Sequence, residues 1–370
     1  MLGLMVGDAL GAAVEGFPQQ EIRRLARSTW GTDTVEGFIA AVHMGTFVSA
    51  GEPGQYRQAR GVRDVNFVPT GPPSNARVAE QCARIGMYTD DTNTCLALGA
   101  SIVECGRVDA EHAARSYAVF SRDNEAYRGV PPTAKMLMEA TLNGVSVDAV
   151  GLPPHFPFPG GSFANGGAMR ISPLGLACRS TGAAALRRLV EAALRGSHRH
   201  PEAIDFAVVQ AAAVQYALRT EPHAFDPVWL LADLEGRCES ADMRGMISGV
   251  GSALTALRPG DDDYLAAERI VSQVQRPGSG MGFQIASVHM APCVLWTVCR
   301  HFADPRAALK AAIDLGGDTD TTASMVGAIV GALHGEAWCA DWAVDLENGR
   351  HGRDYALNLA ERLACLDLED

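Results

Sequence analysis

Apolar residues recur along most of this chain three and four positions apart, the period of an amphipathic helix. After Pro201-Glu202, the residues Ile204, Ala207, Val208, Ala211 and Leu218 share one face, and the proline marks the helix start. Residues 183–194 read as a second helix, closed by Gly196. The same pattern predicts helices over 93–104, 110–120, 227–236, 242–257, 264–274, 287–302, 305–315, 322–334 and 354–366. The run from Gly7 also reads as helical, ending at Glu15 before Gly16. Alternation of strand type is scarcely found, so the spacing predicts an all-α fold.

Small residues repeat every four positions at Gly3, Gly7 and Gly11, and again at Gly327, Gly331 and Gly335. Such stripes let helix backbones approach closely. Two stretches interrupt the helical pattern. Residues 31–80 are rich in Gly, Pro, Ser and Thr and predict a surface excursion with a short hairpin. Residues 151–167 carry Pro-Pro-His-Phe-Pro-Phe-Pro-Gly-Gly, and a loop of that length is usually functional. Neither reads as a linker. The expectation is one compact domain, residues 1–370, with 31–80 and 151–167 as long loops.

Composition narrows the function. The chain has 370 residues, 47% of them apolar and 20% charged, with a net charge of −12. That balance argues against a nucleic-acid-binding surface, which needs basic patches. Arg23-Arg24 and Arg187-Arg188 are isolated pairs on helix faces. An anionic substrate remains compatible if cations screen it locally. The 9 cysteines are odd in number and contain no Cys-x-x-Cys pair, which fits free thiols of a reducing compartment. No basic segment precedes Leu2-Gly3-Leu4, and no apolar run is long enough to span a membrane. A cytoplasmic, membrane-free protein is expected.

Two acidic clusters carry the candidate chemistry: Tyr88-Thr89-Asp90-Asp91-Thr92 and Gly316-Gly317-Asp318-Thr319-Asp320-Thr321. Helix capping accounts for one acid in each, but not for paired acids flanked by threonines. Oxygen donors of this kind suit Mg²⁺ or Mn²⁺ rather than zinc or copper. Folded face to face, the clusters supply carboxylate for two ions. Asp8, in a small-residue helix, reads as a buried acid bonded to another helix. Glu15 suits a solvated helix end and a catalytic acid equally. The run Phe163-Ala164-Asn165-Gly166-Gly167-Ala168-Met169-Arg170 suits either a phosphate cradle or a tight turn. Arg170 reads as the partner of an internal acid or of phosphate, and His198 as a structural histidine.

The order of these pieces resembles the ADP-ribosylglycohydrolase (ADP-ribosylhydrolase) family, which includes the dinitrogenase-reductase-activating glycohydrolase. The resemblance spans nearly the whole chain. It implies a compact helical domain with a two-magnesium centre, Mn²⁺ being the alternative metal. Thr89, Asp90, Asp91, Asp318, Asp320 and Thr321 would ligate the ions. Glu15 would be a catalytic glutamate on a mobile flap, with Asp320 sharing proton handling. Asn165, Gly166, Gly167, Ala168, Met169 and Arg170 would hold the diphosphate and distal ribose. His198 would lie on the substrate side, Phe163 near the adenosine end, and Gly282 and Phe283 in a second ligand-lining loop. The partners implied are ADP-ribose and ADP-ribosylated protein, with the chain acting as a monomer.

Two departures bear on substrate. Ala164 stands where the family commonly has glycine. The segment 122–135, where some arginine-type members carry an acid, offers Asp123 and Glu125 in no clear register. The chain resembles the serine-type branch more closely. That implies hydrolysis of O-linked ADP-ribose: ADP-ribosyl-serine, poly(ADP-ribose) or O-acetyl-ADP-ribose. ADP-ribosyl-arginine hydrolysis and non-catalytic ADP-ribose binding are the alternatives.

Overall fold

The computed structural model describes residues 1–38, 86–124, 128–258 and 260–368. Its α-helices run in the order α1 (Leu2–Gly11), α2 (Gln19–Trp30), α3 (Asp90–Cys105), α4 (Ala110–Arg122), α5 (Pro132–Leu142), α6 (Val147–Val150), α7 (Ser172–Ala177), α8 (Ala183–Leu194) and α9 (Pro201–Leu218). They continue with α10 (Pro227–Gly236), α11 (Ala241–Thr255), α12 (Asp263–Val271), α13 (Ser287–His301), α14 (Pro305–Asp314), α15 (Thr319–His334), α16 (Ala340–Asp345) and α17 (Arg353–Ala364). Among the described residues no strand forms; Ala164 and Ala286 make an isolated antiparallel bridge.

Local chemistry explains where the helices begin. Proline opens α5, α9, α10 and α14, where its missing N–H costs nothing. Asp109, Asp226, Asp262 and Asp304 each accept a backbone N–H in the first turn of the helix that follows. Gly31 and Gly106 end α2 and α3 in the left-handed conformation.

Among the described residues the main core cluster reaches from Leu2 to Leu363, with two small clusters beside it, one around Val271 and Cys293 and one around Leu137, Val150 and Phe156. Helices α1, α9, α13 and α15 are buried on nearly every face, as expected of helices that lack a polar side. At the centre α1 and α15 run antiparallel, almost backbone to backbone. A Cβ on Gly3 would lie 2.4 Å from the Gly327 carbonyl oxygen, on Gly7 2.1 Å from that of Ala323, and on Gly11 2.3 Å from that of Thr319. The small-residue stripe is therefore a packing seam. Gly331 shares in it, with Gly3 Cα 3.3 Å from its would-be Cβ. Gly335 does not: it caps α15 with φ at 73° and faces open space.

The spacing located most helices to within a few residues. It did not locate α2, α5, α6, α7 or α16. Helix α1 ends at Gly11 rather than at Glu15, and a short 3₁₀ turn, Ala12–Val14, follows. Of the excursion expected over 31–80, the part from 39 onward lies outside the described residues. Its first part turns inward, burying Val35 and Phe38 and pairing Glu36 with Lys310. The 151–167 loop is ordered in turns and buries Phe156. Cys95, Cys178, Cys238, Cys293, Cys299 and Cys339 are free and buried, while Cys365 is exposed. No helix among the described residues is long and apolar enough to cross a membrane.

The seam makes a stability prediction. Gly7→Ala forces a methyl into the Ala323 backbone and should destabilise the fold by about 1–3 kcal/mol or more in chemical denaturation. Gly245→Ala, on the exposed side of α11 where a Cβ meets nothing within 4 Å, should be neutral or slightly stabilising. Equal effects of the two would contradict the seam.

Candidate metal centre and substrate cavity

The α1–α15 seam sets the position of the acids. Asp8 on α1 reaches the start of α3. One of its carboxylate oxygens accepts the Thr89 N–H (2.9 Å) and hydroxyl (2.8 Å); the other accepts the Thr92 N–H (2.9 Å) and hydroxyl (2.6 Å). Asp8 thus caps α3 from another helix, as its sequence context suggested, and holds Asp90 and Asp91 against the start of α15. The two helix N-termini bring their partial positive charge to the same place.

Asp318 precedes α15 but does not cap it with its side chain. Its backbone N–H instead donates to Gln284 Oε1 (2.9 Å), and one carboxylate oxygen accepts Asn165 Nδ2 (2.6 Å). Gln284 is fully buried and also donates to the Met281 carbonyl (2.9 Å). Gly317, at φ 75°, makes this possible, because a Cβ there would lie 2.5 Å from Gln284 Oε1. The adjoining turn is pinned as well. Gly16 N–H donates to the Gly317 carbonyl (2.7 Å), and Gly317 N–H donates to the Phe17 carbonyl (2.9 Å).

That pinning carries Glu15 inward. Its side chain is buried, not a solvated helix end. Carboxylate oxygens of Glu15, Asp318 and Asp320 lie within 4.8 Å of one another. Asp91 stands beside them, accepting hydroxyls from Ser324 (2.8 Å) and Thr321 (3.3 Å), with the Thr89 hydroxyl oxygen, whose proton goes to Asp8, 3.3 Å away. Burial and the charges of Asp320, Asp8, Asp90 and Asp318 push the Asp91 carboxyl well above the usual range. Burial and Asp320 push Asp8 up to about 7, although its bonds to Thr92 and Thr89 oppose the shift. A set of crowded, buried, all-oxygen donors is what a hard divalent cation relieves, so these residues fit Mg²⁺ or Mn²⁺.

A cavity of about 160 Å³ opens from the acids. Asp90, Asp91, Asp318, Asp320 and Thr321 form one end; Ala164, Asn165, Gly166, Met169, Arg170, His198, Phe283 and Ile285 form the middle. Pro131, Thr133, Ala134, Leu137, Met138 and Phe156 make a more apolar wall. Arg170 is buried, with its guanidinium 4.1 Å above the Tyr117 ring and bonded to Ser197 and to His198 Nδ1 (3.2 Å). Among the described residues no carboxylate makes an ion-pair contact with it, although the charge of Asp90 acts on it, and its buried Nε has no hydrogen-bond partner. Because Arg170 donates to Nδ1, the His198 proton sits on Nε2, beside Gly166. Burial and the Arg170 charge hold the His198 pKa well below its usual value, so the ring is neutral at pH 7.

Other sequence candidates stand back from the cavity. Thr89 is turned toward Asp8 and Asp91. Gly167 and Ala168 are buried behind the loop, Gly167 against His198. Phe163 packs against Phe158 and His200, with ring centroids 6.0 Å away in each case. Gly282 is exposed beside Phe283. Ala164 adopts an ordinary extended backbone (φ −71°, ψ 161°), so the methyl replacing a glycine causes no strain. Ser324 went unassigned in the sequence, and Gln284 fell in the expected second ligand-lining loop, 280–284, without a role of its own. Ser324 could have been found one turn beyond Asp320 on the same face of α15; the bond from Gln284 to Asp318 had no local signal.

A family model described as ADP-ribosylglycohydrolase matches residues 1–369. The chain belongs to that family and is a glycohydrolase enzyme. A mouse (Mus musculus) protein named ADP-ribosylhydrolase ARH3 is 29% identical over 283 residues, covering 68% of this chain and 72% of the relative. An Archaeoglobus fulgidus protein without an assigned activity is 26% identical over 365 residues, covering 98% of this chain and 94% of its own. A solved structure titled ADP-ribosylglycohydrolase-related protein complex superposes with a TM-score of 0.59 at 23% identity, covering 99% and 96% of the two chains, and so shares the fold.

The cluster predicts a cation-dependent rise in stability. Adding Mg²⁺ or Mn²⁺ at about a hundred times its dissociation constant should stabilise the fold by about 2.7 kcal/mol. Thermal unfolding checks this, and Asp318→Asn should remove most of the shift. A melting temperature indifferent to both cations would contradict the fit.

Proposed function

We propose that this enzyme uses two Mg²⁺ or Mn²⁺ ions to hydrolyse O-linked ADP-ribose from modified proteins or related compounds, ADP-ribosyl-serine among them. The observation that carries the reading is the convergence of Glu15, Asp318 and Asp320 within 4.8 Å, beside Asp91, at one end of the cavity. Asp90, Asp91, Asp318, Asp320 and Thr321 would hold the ions, with Thr89 orienting Asp91. Bound there, the cations would supply positive charge that fixes ribose hydroxyls and acidifies a water.

The chain's own groups do the rest. Glu15 is the general base, taking a proton from the attacking water as positive charge builds on the ribose ring. Its buried setting excludes bulk water. The turn carrying Glu15, where the resemblance implies a flap, is held by the Gly16–Gly317 and Gly317–Phe17 bonds. The buried Arg170, bonded to neutral groups and with only the more distant charge of Asp90 acting on it, complements a phosphate. Neutral His198 offers its Nε2–H on the same wall, and the Asn165–Gly166 turn adds its backbone. Phe163, with Phe158 beside it, would lie toward the adenosine.

The wall carrying Pro131, Thr133 and Ala134 favours a neutral leaving group: among the described residues it adds no acid to those of the two clusters for receiving a guanidinium. Asp123 is turned to Arg122 at the surface, and Asn124 bonds Asn93 and Arg128; Glu125 lies outside the described residues. The buried thiols fit a reducing cytoplasm.

One assay tests the reading: release of ADP-ribose from serine-linked and arginine-linked peptides with Mg²⁺ present. Serine-linked peptide should turn over faster. Glu15→Gln should lower that turnover by ~10²-fold or more with ligand affinity little changed. Faster release from the arginine-linked peptide would contradict the linkage, and a fully active Glu15→Gln would contradict the base.

A further inference from the structure

Tyr88 stands two residues before the first acid of α3, and both of its backbone polar groups are held by one ion pair, in which Arg128 is buried and Glu347 half-buried. Its N–H donates to Glu347 Oε1 (3.0 Å), and its carbonyl accepts Arg128 Nη1 (2.8 Å). Arg128 and Glu347 meet through two parallel contacts, one of them Nη2 to Oε2 at 3.1 Å. The guanidinium lies flat on the Tyr88 ring, 3.6 Å from its centre, and the Tyr88 hydroxyl donates to the His351 carbonyl (3.0 Å). Arg128 Nε donates to Asn124, which in turn donates to Asn93 on α3 (2.8 Å). Both Tyr88 and Arg128 are buried.

We propose that Arg128 and Glu347 are positioning residues: they fix the Tyr88 backbone so that Asp90 and Asp91 are presented to the cation site, and they tie that site to the wall starting at Pro131. The inference rests on the cation reading above. The physical case is the choice of partners. An ion pair serving stability alone needs only its own two side chains. Here each member spends a bond on the one residue whose torsions aim the acid-bearing turn, and Asp8 anchors the next residue, Thr89, from the opposite side. Between them the two anchors leave the turn little freedom. Arg128 is also three residues before Pro131, so the same guanidinium sets the distance between the acids and the wall facing the leaving group. Arginine is suited to this, because its planar fork grips the Glu347 carboxylate through two nitrogens while still donating to a carbonyl and to Asn124, a span that the compact ammonium of lysine does not cover.

The test uses full-length protein and Mn²⁺ alone, with free Mn²⁺ read by electron paramagnetic resonance and no substrate. Arg128→Gln and the milder Glu347→Gln should weaken Mn²⁺ binding about 10-fold or more, the scale seen when groups that orient metal ligands are removed. The exchange Arg128→Glu with Glu347→Arg should recover thermal stability but not Mn²⁺ affinity, since the new pair cannot donate to the Tyr88 carbonyl from the same side. Wild-type Mn²⁺ affinity in variants that melt lower would make the pair merely structural and overturn the inference. Failure of the wild-type protein itself to bind Mn²⁺ would overturn the cation reading, and the clamp with it.

Discussion

Everything at the acidic centre depends on how closely two helices can approach. Gly3, Gly7 and Gly11 let α1 lie against the backbone of α15 at distances no side chain would permit. That contact puts Asp8 within reach of Thr89 and Thr92, and it starts the turn that carries Glu15 to Asp318 and Asp320. Replace the glycines and the acids no longer share a site. The small-residue stripe, which looks in isolation like ordinary core packing, is the element that assembles the chemistry.

The acids are then held by a hierarchy of restraints. Asp8 caps α3 in trans. Gln284 and Asn165 hold Asp318 by its N–H and its carboxylate. Ser324 and Thr321 hold Asp91. These bonds orient carboxylates that repel one another, which is why Asp91 and Asp8 are pushed toward protonation when only protein surrounds them. Orientation without neutralisation is an unfavourable state for an apolar interior. A divalent cation would remove the conflict, and the reading proposed above assigns the rest of the cavity, from Arg170 to Phe156, to the remainder of the substrate.

Much of this was legible in the sequence, and the gaps have physical causes. Helices with an apolar face or a proline start, such as 201–218, declared themselves. Helix α2 did not, because its residues are mostly polar and only Ile22, Leu25 and Ala26 reach the core as apolar groups. The paired acids at 90–91 and 318–320 marked the candidate site, since capping needs only one, and the fold brings them together at the cavity. Glu15 could not be assigned to core or solvent, because its burial comes from backbone bonds to Gly317, three hundred residues on in the chain. The hold of Gln284 on Asp318 and the Arg128–Glu347 pair were invisible for the same reason: each acts across the fold rather than along it. Gly335 showed the reverse error, matching the stripe's period while serving a helix end.

The central claim is that the centre cleaves the bond at the anomeric carbon of the ribose rather than a phosphate bond. Hydrolysis of a serine-linked ADP-ribosyl peptide in ¹⁸O-labelled water with Mg²⁺, read by mass spectrometry, tests it most directly. The account predicts unlabelled, unmodified peptide and free ADP-ribose carrying one ¹⁸O. Release of AMP, with the ribose phosphate left on the peptide, would contradict it.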